Sequence, residues 1–168
     1  AETREMLLHW SVNQDRNDFD SPWKEALEKF LRPFLALCFP AVEAQIDWPR
    51  EVVFLDTELQ ALEPDTEARR QFVDKLVRVF LRDGGEVWIL VHVEVQSQPD
   101  PGLAERMYHY HHRLKQIHRH PVVSLAVLAD GDPLVRSGAF EESLLGTRNR
   151  FDFATCKLVD FAEDQLIG

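Results

Sequence analysis

An α/β fold, a small mixed β-sheet flanked by helices in the order helix-strand-strand-strand-helix-strand, is predicted by three observations. Residues Val87–Gln96 alternate Val87, Ile89, Val91, Val93 and Val95 with Trp88, Leu90, His92, Glu94 and Gln96. Side chains alternate across a strand, so the branched residues cover one face while Glu94 and Gln96 leave from the other. Residues Val73–Arg82 carry a similar alternation, and Asp83-Gly84-Gly85-Glu86 between the two runs supplies turn chemistry. Apolar residues at helical spacing lie before and after this hairpin, as expected of helices covering a sheet.

Taken in order, residues 1–19 are polar and without period and read as an N-terminal arm. Residues 20–168 are expected to form one domain, because 168 residues suffice for one sizeable core but not for two comfortable ones. Asp20 or Ser21 can cap a helix, Pro22 is tolerated in its first turn, and Glu25 suits its dipole. Trp23, Leu27, Phe30, Leu31, Phe34, Leu35 and Cys38 then predict one amphipathic helix, with Pro33 a kink or break. Val53, Leu55, Thr57, Leu59 and Ala61 share a parity that suggests a strand over 51–62, with a helix as the alternative. After Gln96, Pro99 and Pro101 break the strand, and residues 102–119 predict a helix with Leu103, Met107, Tyr110, Leu114 and Ile117 inward. Val122–Ala129 reads as a strand buried on both faces, and one or two short elements are expected beyond it.

The hairpin register carries the first functional expectation. A three-residue loop with a left-handed glycine pairs Arg82 with Glu86 and Val79 with Ile89, merging the apolar faces. The same register sets Asp74 directly across from Glu94. Directly opposed side chains have Cβ atoms about 4.5–5.5 Å apart, so the two carboxylates repel unless one is protonated or a cation lies between them. A divalent metal is the productive solution.

The formal net charge of −10 argues against coating nucleic acid by bulk phosphate neutralisation, while leaving room for a local basic cleft. No apolar run is long enough to span a bilayer, so no membrane association is expected. Ala1–Trp10 lacks the basic flank and apolar core of a signal peptide, and a cytoplasmic setting is expected. Cys38 and Cys156 are far apart without a pairing motif and read as reduced core thiols. The absence of an initiator methionine and the ending at Ile167-Gly168 are expected of a segment of a longer protein.

With Asp74 opening one strand and Glu94-Val95-Gln96 ending the next, the chain resembles the PD-(D/E)XK nuclease superfamily. Asp20-Ser21-Pro22-Trp23-Lys24-Glu25, Phe54-Leu55-Asp56-Thr57-Glu58-Leu59-Gln60 and His92-Val93-Glu94-Val95-Gln96-Ser97 followed by Pro99-Asp100 look like its transposase-like branch, related to recombination-promoting nucleases. The likeness covers most of residues 20–160. It implies a restriction-endonuclease-like core and a Mg²⁺- or Mn²⁺-dependent endonuclease that hydrolyses phosphodiester bonds of DNA. Asp74 and Glu94 would be the metal ligands, and Gln96 would complete the catalytic set. The family's usual lysine falls at Gln96, and an amide orients water but cannot supply positive charge. Lys115 is then a candidate substitute, and Lys75 a poorer one because strand parity points it away from Asp74.

A second reading is a nuclease-fold domain that binds nucleic acid or protein with weak or lost catalysis, and a DDE-type transposase is a third. Arg106, His109 and Arg113 share a helix face and are the candidate DNA contacts. Glu25 is a further carboxylate that could approach the site. His109 and His112 invite a zinc reading, but no second matched ligand pair accompanies them and a solvated face is favoured. A homodimer is the expected arrangement for double-strand cleavage, since two-fold symmetry brings two sites to opposite strands.

Overall fold

The computed structural model describes residues 20–62, 72–94, 101–128 and 138–157. The helical stripe near the N-terminus becomes two helices, α1 (Asp20–Lys29) and α2 (Leu31–Cys38), and not one. Pro33 explains the break. Proline has no N–H to continue the ladder, and its ring crowds the carbonyl four residues back. The chain resets at Phe30, whose φ is −120°. A short helix, α3 (Pro40–Glu43), follows.

The strand expected over 51–62 is only partly present. Val53–Phe54 forms β1, after which Asp56–Gln60 turns into a short helix, α4. Leu55 and Leu59 are buried, while Asp56 and Gln60 are exposed. Spacing of four places the two leucines on one helical face, and their burial against the sheet overrides the weaker alternation signal.

Strands β2 (Phe72–Phe80) and β3 (Glu86–Glu94) form the central antiparallel hairpin. Helix α5 (Leu103–His118) leads to β4 (Val122–Leu128), which lies parallel to β3. A separate hairpin of β5 (Ala139–Leu144) and β6 (Thr147–Asp152) precedes β7 (Ala154–Lys157), which pairs parallel with β4. The main sheet therefore runs β1-β2-β3-β4-β7, antiparallel on one side and parallel on the other. This is a mixed α/β architecture in which α4 interrupts the expected run of three strands, and three short strands follow β4 where one or two elements were expected.

The hairpin has the predicted kind of loop at a different place. Leu81 N–H donates to Gly85 O (2.8 Å) and Gly84 N–H to Leu81 O (2.9 Å), with Gly84 at φ +94°. The three loop residues are thus 82–84, the left-handed position is Gly84, and the pairs are Val79 with Val87 and Asp74 with His92. Arg82 does not pair Glu86, nor Val79 Ile89, and Glu94 falls opposite Phe72. The cause lies outside the hairpin. Leu81 bridges Ile46, Asp47 N–H donates to Phe80 O (2.8 Å), and Arg82 N–H donates to Gln45 O (2.9 Å). These bonds hold Leu81 extended and move the turn one residue towards β2. A shift of two in pairing keeps each side chain on its face, so the apolar merger survives.

Val77, Val79, Val87, Ile89, Val91, Val93, Leu125 and Val127 form one face, covered by Leu27, Phe30, Phe34 and Leu35 of the first helices. On the other face Leu76, Trp88 and Leu90 meet Tyr110 and Leu114 of α5 together with Leu55, Leu59 and Leu62. Leu103 and Met107 pack on Ala126, Leu128 and Phe153. Four of the five expected inward residues of α5 are buried; Ile117 instead is 57% exposed, since the helix has by then reached the end of the sheet. Arg119, left-handed at φ 56°, closes α5 by donating its N–H to Lys115 O. Cys38 and Cys156 form no disulfide, yet the fold brings them together: a hydrogen bond to Cys156 and burial push the Cys38 thiol far up, so it stays protonated.

Candidate functional site

Asp74 and His92 are the facing pair at the site. They are direct cross-strand partners, and His92 Nδ1 lies 2.6 Å from Asp74 Oδ1. The imidazole is fully buried and the Asp74 side chain is 12% exposed. A carboxylate oxygen only accepts, so the bonding proton rides on Nδ1. Asp74 Oδ2 makes no hydrogen bond among the described residues. A charged hydrogen bond in such a setting is stronger than a neutral one and holds the carboxylate in one orientation.

The expectation that Asp74 directly opposes Glu94 is corrected by this pairing, and the repulsion argument for a cation falls with it. Glu94 is the last residue of β3 and stands one diagonal step from Asp74, opposite Phe72. Diagonal neighbours in a hairpin are about 7–8 Å apart. Gln96 lies outside the described residues. The sheet register also forms a row of Phe72, Glu94, Leu128 and Lys157 across four strands. Lys157 is 1% exposed and went unnoticed in the sequence, where nothing marks β7 as a neighbour of β4.

Neither proposed lysine substitute reaches this place. Lys75 is buried on the opposite parity, and its ammonium donates to Glu28 of α1 and to Asp56 of α4 (3.0 and 3.2 Å). Those two carboxylates hold it 5.3 Å above the Phe54 ring. Lys115 occupies the last turn of α5, about 18 Å along the helix from Leu103 at 1.5 Å per residue. The same end of α5 brings His118 within 4.7 Å of Trp88, at the start of β3 and away from Glu94.

The candidate DNA-contact residues are divided in their roles. His109 is 61% exposed and lies 3.6 Å from Glu105. Arg113 donates from Nη1 to Leu62 O (2.6 Å), tying α5 to the end of α4. Arg106 is half-buried on the same helix. The histidine run has a different use. His111 Nδ1 is 2.8 Å from Ser124 Oγ, and the rings of Tyr108, His111 and His112 meet Phe151 edge-on or tilted, while Asn149 donates to the Tyr108 hydroxyl. Burial, with help from His112 and Lys115, lowers the His111 pKa to about 4, so its ring is neutral at neutral pH. These contacts dock the β5–β6 hairpin onto α5.

Asp74 offers a hard oxygen donor, with one oxygen unengaged among the described residues, the kind of ligand that suits Mg²⁺ or Mn²⁺. Among the described residues no group of three or more His, Cys, Asp and Glu is spaced to share a metal ion. No helix among them is long and apolar enough to cross a membrane. Comparison with family models, with curated proteins and with solved structures found no match.

Proposed function

We propose that this chain is a metal-dependent DNA endonuclease domain of the PD-(D/E)XK type, transposase-related and recombination-promoting, with a restriction-endonuclease-like core. The observation that carries the reading is Asp74: a largely buried carboxylate whose Oδ2 makes no hydrogen bond among the described residues, one diagonal step from the end of β3 where Glu94 stands. The succession of the β2–β3 hairpin, helix α5 and the parallel strand β4, with helices preceding it, supports it. Asp74 and Glu94 hold the divalent cation and Gln96 orients the attacking water through its amide. When bound, Mg²⁺ or Mn²⁺ polarises the scissile phosphate and makes water a stronger nucleophile.

Two observations favour a second reading, a nuclease-fold domain that binds nucleic acid or protein with little catalysis. The lysine position carries Gln96, and Lys75 is committed to Glu28 and Asp56 on the other side of the sheet. Cleavage of supercoiled plasmid with Mg²⁺, Mn²⁺ or EDTA decides between them. Metal-dependent cutting by the native chain, abolished in Asp74→Ala and in Glu94→Ala, is the expected result. Equal inertness of native and variant chains transfers the assignment to the binding domain.

A further inference from the structure

His92 opens one of the sequence motifs but was given no role there, yet it makes the shortest described contact to the Asp74 carboxylate. Its neighbours explain why the ring has little freedom. In the sheet it stands between Asp74 on β2 and Ala126 on β4, with Leu90 two residues back along β3, and it is fully buried. A buried ring held by a strong hydrogen bond restricts the torsions of its partner, and Asp74 is that partner, its second oxygen without a hydrogen bond among the described residues.

We propose that His92 is the positioning residue of a divalent-cation site at Asp74, donating from Nδ1 to Oδ1 so that Oδ2 is presented to the cation. The inference rests on the metal-dependent reading above and deepens it. The physical gain is preorganisation. An aspartate free to rotate must be ordered when the cation arrives, whereas one already clamped by one oxygen offers the other at no such cost. Ligating carboxylates elsewhere are commonly held by outer hydrogen bonds, and removing such a partner typically weakens metal affinity by about 10–100-fold.

The test is a Mn²⁺ titration of the full chain by calorimetry, read beside thermal unfolding, for the native protein and for Asp74→Ala, His92→Leu, His92→Asn and His92→Gln. Asparagine places an amide nitrogen near the site of Nδ1, whereas glutamine places it near Nε2. The expected result is binding lost in Asp74→Ala, weakened by about 10–100-fold in His92→Leu and His92→Gln, and restored to within a few-fold of native in His92→Asn. Native affinity in His92→Leu, with binding still lost in Asp74→Ala, overturns the positioning role and leaves the cation site standing. Absence of Mn²⁺ binding in the native chain, or binding indifferent to Asp74→Ala, overturns the cation site and the positioning role together. Should His92→Leu not fold, the Asn and Gln variants decide: equal affinities in the two overturn the proposal. Long-range proton–nitrogen NMR of the metal-free native chain adds a readout independent of any cation. A proton on His92 Nδ1 whose resonance shifts in Asp74→Ala is expected, and a ring protonated only at Nε2 overturns the assignment.

Discussion

Val77, Val79, Ile89, Val91, Val93, Leu125 and Val127 line one face of the central sheet and meet the apolar stripes of α1 and α2. The opposite face alternates apolar rows with polar ones. Leu76 and Leu90 stand beside Ser124, and Asp74 and His92 stand beside Ala126. On the first face, apart from Lys75 with its Glu28 and Asp56 partners, packing is dispersive and non-directional, and a residue of similar volume serves nearly as well. On the second, buried polar groups are held by specific partners, Asp74 for His92 and His111 for Ser124. An unpartnered buried polar group is costly, so this face restricts pairing far more strongly. The faces thus divide the labour: one secures cohesion, the other a unique register and a reactive carboxylate.

That contrast is most severely tested on the apolar face, where the largest effect is expected. Phe34 is completely buried, and Phe34→Ala should lower stability by about 3–5 kcal/mol in urea unfolding while a conservative Phe34→Leu loses much less. On the polar face, His92→Leu should cost about 1–3 kcal/mol because the Asp74 carboxylate loses its donor. The double variant Asp74→Leu/His92→Leu should cost clearly less than the sum of the two singles, and strict additivity would refute the coupling.

A pH titration sharpens the same point at the other polar pair. The His111 pKa is lowered to about 4 from 6.5, so the unfolded chain binds the proton more readily between these values. Stability from this group is therefore complete above about pH 6.5 and is lost as pH falls towards 4, by on the order of 1–2 kcal/mol once solvent screening of the half-exposed ring is allowed for. The native chain should lose more than His111→Asn over that window in denaturant midpoints. The smallest effect belongs to Lys75→Met. It keeps the buried stem and leaves Glu28 and Asp56, 43% and 49% exposed, free to rehydrate, so a change of about 1 kcal/mol or less is expected from thermal unfolding.

Much of this arrangement was legible in the residues. Alternation marked β2 and β3, the apolar stripe marked α5, and the glycine pair announced a three-residue turn. Lys75 faces away from Asp74 as parity requires. What failed has particular causes. Either Gly84 or Gly85 can adopt the left-handed conformation, and the local sequence does not choose between them. The choice is made by Ile46, Gln45 and Asp47, which clamp residues 80–82 from a distant segment. One residue of turn position became two of register, and Asp74 received an imidazole in place of a second carboxylate. The segment after β1 failed for a similar reason, because Leu55 and Leu59 satisfy a strand parity and a helical face equally.

The sequence by itself determined which residues alternate, which are apolar at helical spacing, and that a carboxylate stands on each central strand. These are periodic, local properties of the chain. Only the tertiary structure decided which residue faces which. It pairs Asp74 with His92, aligns Lys157 with Glu94 across three strands, and draws Lys75 to Glu28 and Asp56. Pairings between distant segments depend on the whole set of packing and hydrogen-bond contacts, and no short window of residues contains that information.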